Sequence, residues 1–168
     1  MSETRTEFGY ERTKCACSEC TKFCSSFPGP LIPADLVAIS TRLGYDDLVR
    51  FAIENLSASR GATAIINGSV IQIPTLTPQR TPEGACKFLR NNLCSIHEVA
   101  PFACAFFDAH QDPKEADARS LRGHMEIKHE WDTGGVYAML WVLLHSIGLV
   151  APSAIESRAR MRRETQSK

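Results

Sequence analysis

Thr63-Ala-Ile-Ile-Asn-Gly-Ser-Val-Ile-Gln-Ile73 is the stretch on which the fold class turns. Two β-branched runs flank Asn67-Gly68, and the favoured two-residue hairpin turn needs positive φ at both central positions, which Asn and Gly tolerate. The stretch is therefore a β-hairpin. Outward from it the period changes. On the N-terminal side, Asp46-Asp47 caps a helix expected to reach about Ser57, with Leu48, Phe51, Ala52 and Leu56 at helical spacing. Before that, Pro33 opens a helix that Gly44 stops. On the C-terminal side, Pro74, Pro78 and Pro82 suggest an extended loop. Ala85-Cys-Lys-Phe-Leu89 and Cys94-Ser-Ile-His97 then flank Arg90-Asn91-Asn92 as a second small hairpin.

Beyond it the chain is helical again. Asp112-Pro113-Lys-Glu115 starts a helix expected to run to about Trp131. Thr133 is a candidate cap for the apolar run Val136–Leu144, which Gly148 ends. That run falls short of the roughly 20 residues a membrane span requires, so a buried core helix is the expectation. Ser153-Ala-Ile-Glu156 is a capping-box pattern for a last helix. The expected fold is α+β: a mostly helical single domain with one or two small β-hairpins, organised around a cysteine-ligated metal site. Residues 1–14 are expected as a flexible arm, 15–150 as the metal-binding domain and 151–168 as a basic C-terminal helix or tail.

The metal enters through seven cysteines in 168 residues. Their order is Cys15-x-Cys17-x2-Cys20-x3-Cys24, then Cys86-x7-Cys94-x9-Cys104. A disulfide framework favours an even count and an export signal, whereas this count is odd and the opening MSETRTEFGYERTK is polar and charged. The expectation is a cytoplasmic protein whose clustered thiolates bind metal, since short loops bring soft donors together at small closure cost. Cys15 is read as a bystander on the frayed side of the cluster. Core packing is the competing role for Cys86 and Cys104, which have apolar neighbours. Among the histidines, His97 and His110 flank Cys104; His124 and His129 diverge on one helix; His145 suggests a satisfied core histidine.

Nineteen basic and nineteen acidic residues cancel, which argues against a general nucleic-acid binder. No phosphate loop, nucleophile elbow or dinucleotide fingerprint is present. The expected partners are a protein or a small-molecule substrate, with no nucleic acid and no membrane.

Four blocks carry a family resemblance. They are Cys17-Ser-Glu-Cys20-Thr-Lys-Phe23-Cys24, Cys86-Lys-Phe-Leu89, Cys94-Ser-Ile-His97-Glu98 and Pro101-Phe-Ala-Cys104. In this order, over roughly residues 15–110, the chain resembles the YkgJ-type CxxCxxCC cysteine-cluster proteins, described as zinc- or iron-chelating domains. Two departures stand out: Phe23 replaces the third cysteine of the first block, and Ala100 and Ala105 stand where relatives commonly carry Arg. The resemblance implies metal ligation by Cys17, Cys20, Cys24, Cys86, Cys94 and Cys104. Relatives such as flagellin lysine methylases are associated with iron–sulfur clusters. The expected cofactor is thus an iron–sulfur cluster, of 4Fe–4S type, with zinc as the alternative. The work expected of it is electron transfer, metal handling or support of a partner enzyme. The rival expectation is a metalloenzyme that modifies a peptide or small metabolite, for which a cavity beside the metal would be the distinguishing mark.

Overall fold

The computed structural model describes residues 10–166. Of the arm expected at 1–14, residues 1–9 lie outside that range, as do the last two residues of the tail. Helices and strands follow in the order α1 (Ser18–Ser26), α2 (Pro33–Arg42), α3 (Leu48–Asn55), β1 (Leu56–Ile66), β2 (Ser69–Pro78), β3 (Leu89–Arg90) and β4 (Leu93–Cys94). A 3-10 turn at His97–Val99 leads to α4 (Phe102–Ala105), α5 (Pro113–Thr133), α6 (Val136–Ser146) and α7 (Ala154–Gln166). The molecule is an α+β, mostly helical single domain.

The long hairpin is its centre. β1 and β2 pair antiparallel from Leu56↔Pro78 to Ile66↔Ser69, and Asn67 and Gly68 turn the chain with φ of 51° and 77°. The strands extend further than the alternating run alone suggests, and Pro74 and Pro78 lie inside β2 rather than in a loop. The register explains how. It shifts between Ser59↔Thr75 and Ala62↔Ile73, so Arg60 and Gly61 bulge opposite Pro74, the one residue there with no N–H to pair. Gly61 has φ of 82°, and a Cβ on it would lie 1.6 Å from the Ile73 carbonyl oxygen, so only glycine fits.

Helices α3, α5 and α6 pack against this hairpin, and α2 packs on those three helices. Leu31, Ile39, Phe51, Leu56, Leu76, Phe106, Ile127, Tyr137 and Leu144 are almost wholly buried and form one core. Tyr137 ties three parts together: its hydroxyl accepts from the Leu76 N–H at 2.7 Å and donates to the Leu31 carbonyl at 2.7 Å. Two polar atoms are thereby satisfied in the interior, where each unpaired one would cost roughly 1–3 kcal/mol.

The helix caps largely follow the sequence signals. Asp47 accepts from Val49 N–H, Asp112 from Lys114 N–H, and Ser153 and Glu156 exchange the capping-box bonds. Helix α3 ends at Asn55, two residues before the expected end, because Leu56 already pairs with Pro78. Thr133 is the last residue of α5, not the cap of α6. Gly134, left-handed at φ 65°, ends α5, and Gly135 precedes α6 while Glu130 accepts the Tyr137 N–H at 3.0 Å. Helix α6 buries only one face. His145 is exposed rather than in the core, and stacks on Trp141 with ring centroids 4.8 Å apart. Among the described residues, no helix is long and apolar enough to cross a membrane.

Candidate metal centre

Residues 15–28 look too rich in Cys, Ser and Lys to form an ordinary element, yet Ser18–Ser26 is helix α1, with Cys17 in extended backbone at its N-cap. That start sets the chemistry. Cys17, Cys20 and Cys24 fall at spacings of three and four, so they share one helix face. The chain ahead of α1 is docked: Thr13 N–H donates to the Ala105 carbonyl at 2.7 Å, and the Arg12 guanidinium lies over the Phe106 ring at 5.5 Å.

Cys15, Cys17, Cys20 and His110 converge, their ligating atoms all within 4.8 Å of one another. Cys17 Sγ lies 3.4 Å from His110 Nε2. The Ala109 N–H donates to Cys20 Sγ at 3.3 Å. Asp108 fixes both sides of the group. One of its oxygens accepts the His110 N–H at 2.9 Å, and the other accepts the Thr13 hydroxyl at 3.0 Å. That hydroxyl in turn accepts the Cys15 N–H at 3.3 Å. Arg119 holds the same loop from α5 through the Phe106 carbonyl at 2.8 Å.

The electrostatics favour a ligand-ready thiolate. The Cys20 backbone N–H, then the His110 ring, lower the Cys17 pKa to about 6. The same contact raises the pKa of His110. Cys20 moves the other way. The Ala109 N–H pulls it down, but desolvation and the neighbouring Cys15 and Cys17 outweigh this and carry it to about 11. Three sulfurs this close cannot all ionise without a cation among them.

The other four cysteines stand outside this compact group. Cys24, Cys86, Cys94 and Cys104 line a cavity of about 350 Å³, together with Cys15, Cys20 and His97. Cys86 N–H donates to the Cys24 carbonyl at 2.7 Å, which joins α1 to the second hairpin. Asn91 and Asn92, at φ of 50° and 62°, turn that hairpin and place Cys94 opposite Leu89. Cys104 rides on α4, which the buried Asp35 carboxylate anchors by accepting from Phe102 N–H at 2.9 Å and Ile32 N–H at 2.7 Å. Gly29 lets the Cys104 thiol come close: a Cβ there would lie 3.0 Å from its Sγ. Burial lifts all four thiols, Cys86 to about 12 and Cys104 well above its ordinary value, and each of Cys86, Cys94 and Cys104 is raised further by its neighbouring thiols.

A second cavity of about 430 Å³ shares Cys20, Cys24, Cys104 and Phe107 with the first and opens towards α5.

Of the six cysteines expected as ligands, Cys17 and Cys20 thus lie in the compact group, while Cys24, Cys86, Cys94 and Cys104 surround the adjacent cavity. Cys15, expected as a bystander, lies within the compact group, and His110 completes it. The sequence held one hint of each: Cys15 lies two residues from Cys17, and His110 closely follows Cys104. The pairing of the two segments is tertiary and had no local signal. Three sulfurs and one imidazole are the donors a tetrahedral zinc ion takes, at about 2.3 Å for sulfur and 2.0–2.1 Å for nitrogen, which sets neighbouring donors about 3.5–3.8 Å apart. The group can hold a metal ion after a contraction of about 1 Å. Comparison with family models, with curated proteins and with solved structures gives no match.

Proposed function

We propose that this protein binds metal at two adjoining thiol-rich sites: one zinc ion at Cys15, Cys17, Cys20 and His110, and an iron–sulfur cluster at Cys24, Cys86, Cys94 and Cys104. The observation that carries the reading is the convergence of four soft donors within 4.8 Å from chain segments about ninety residues apart. The inner set offers four cysteines around a 350 Å³ cavity, the donor number of a 4Fe–4S cluster. Its thiols are protonated near neutral pH, so loading must release protons and strengthens as pH rises. A cluster there would supply one-electron chemistry, and the work that follows is electron transfer or support of a partner enzyme. On this reading Cys15 and His110 make up for the donor that Phe23 removes from the YkgJ-type pattern.

The test is anaerobic purification, an absorption spectrum, and iron, sulfide and zinc counted per chain. The expected result is one zinc with matched iron and sulfide and broad visible absorption. In Cys17→Ser the zinc should go and the iron stay; in Cys104→Ser the reverse. A wild-type protein that takes up neither metal overturns the reading. A second reading, a metalloenzyme acting on a small metabolite, is favoured by the 430 Å³ cavity that shares Cys20, Cys24 and Cys104 with the thiol wall.

A further inference from the structure

The 430 Å³ cavity between α1, α4 and α5 has a composition that its role as a neighbour of the thiols does not require. Its volume is in the range of small-molecule sites, roughly 300–1,000 Å³. Its walls are rich in aromatic rings: Phe23, Phe27, Phe102 and Phe107 all face it. Gly123 makes room for one of them, since a Cβ there would lie 2.5 Å from the Phe102 ring. Ile127, buried on the same helix, closes the far side.

The polar groups are few and mostly occupied. Both Asp108 oxygens are already engaged, by Thr13 and by the His110 N–H. The group left over is the His124 imidazole, one turn beyond Ser120 on α5. Its Nδ1 lies 3.3 Å from Ser120 Oγ, and its Nε2 takes no partner among the described residues. Half-buried, its ring is favoured in the neutral form by desolvation. An aromatic-walled cavity whose open ring nitrogen is His124 Nε2, and whose one carboxylate, Asp108, already accepts two hydrogen bonds, favours a neutral, flat molecule, because rings pack offset or edge-to-face against aromatic walls.

We infer that this cavity binds a neutral aromatic molecule of two or three fused rings, seated against Phe27, Phe102 and Phe107 with one hydrogen-bonding group at His124 Nε2. The bound ring lies against the wall formed by Cys20, Cys24 and Cys104, next to both thiol groups. Binding does not depend on a metal, so the inference stands apart from the metal reading.

The experiment titrates three flat bicyclic probes of similar size into the full-length protein: indole, which offers a donor; quinoline, which offers an acceptor; and naphthalene, which offers neither. The readouts are nuclear magnetic resonance shifts of the His124 ring nitrogens and of the phenylalanine rings. The expected result is saturable binding, with indole or quinoline about tenfold tighter than naphthalene, the worth of one hydrogen bond in a desolvated site. His124→Phe should erase that preference. Ser120→Trp, which fills the cavity from α5, should abolish binding of all three while the far-ultraviolet dichroism is kept. Should Ser120→Trp not fold, Ala103→Phe fills the cavity from α4. Absence of saturable shifts in the wild type, or undiminished binding in a folded filled variant, overturns the inference. The titration is run on zinc-loaded and on chelated protein. Uptake of zinc without probe binding sinks this inference alone, and probe binding without zinc uptake sinks the zinc half of the metal reading alone.

Discussion

Cys17 is the residue at which structure changes chemistry most directly. An exposed thiol ordinarily ionises well above neutral pH, but the Cys20 N–H and the His110 ring bring this one to about 6. The sign follows from linkage. Because the folded state favours the thiolate, its stabilisation is complete above the ordinary value of 9.0 and is lost as pH falls through about 6. In chelated protein, alkylation of Cys17 by iodoacetamide should therefore have a midpoint near pH 6. His110→Ala should move that midpoint up, and one equivalent of zinc should suppress the labelling at pH 7. A midpoint near 9 in the wild type would refute the contact with His110. Asp108 touches no candidate donor atom but holds the His110 backbone and, through Thr13, that of Cys15. Asp108→Asn should weaken zinc binding about tenfold, at the lower end for lost outer hydrogen bonds, while the melting temperature of the metal-free protein stays put. Competition against a coloured chelator measures it, and unchanged affinity would remove Asp108 from the positioning role. At this scale the sequence was legible in donor type but not in partnership. Nothing local to Cys15 or His110 announces that the N-terminal segment docks on Ala105 and Asp108, because that docking runs through Thr13 and Arg12, residues with no metal chemistry of their own.

Among the elements, the long hairpin carries the most specific constraint. Its turn was legible because Asn67-Gly68 encodes a dihedral requirement in two adjacent letters. Its length was not, because Pro74 argues locally against a strand; the bulge at Arg60 and Gly61, seven and six residues before the turn, makes a proline acceptable there. The caps at Asp47, Asp112 and Ser153 were legible for the same reason as the turn: each is a short-range bond between neighbours in sequence. Helix α1 was obscured, since its run of Ser, Cys, Thr and Lys departs from the usual helix formers. The bulge can be tested by comparing two glycines with nearly the same positive φ. Gly61 and Gly68 have φ of 82° and 77°, but a Cβ would collide with Ile73 at the first and meet nothing within 4 Å at the second. Gly68→Ala should cost about 1 kcal/mol, the left-handed backbone term alone. Gly61→Ala should cost more than about 3 kcal/mol, since the overlap adds to that term. Urea unfolding of the two variants measures the difference, and equal losses would show that the bulge yields.

For the whole molecule, the question is what metal adds to a domain that already has a core. Leu31, Phe51, Leu76, Tyr137 and Leu144 are buried without reference to any donor, so the chelated protein should stay folded. What the outer Cys15, Cys17, Cys20 and His110 group would join is the segment around Cys15 and Cys17 to the loop carrying His110, two surface stretches held otherwise by a few hydrogen bonds and the cation–ring contacts of Arg12 over Phe106 and Arg119 over Tyr10. Stretches held this way open at low free-energy cost, whereas the core opens only with global unfolding. Chelation should thus speed hydrogen exchange at Thr13, Cys15, Ala109 and His110 and leave Leu76 and Leu31 slow. Zinc at a hundred times its dissociation constant stabilises the folded state by about 2.7 kcal/mol if the unfolded chain binds none. In a domain of this size that is a rise in melting temperature of roughly 5–11 °C. The two measurements must agree: exchange protection confined to the outer site with no change in melting temperature would mean that metal orders the surface without being linked to the fold. A rise that persists in Cys17→Ser with His110→Ala would assign the stabilisation to the four inner thiols instead.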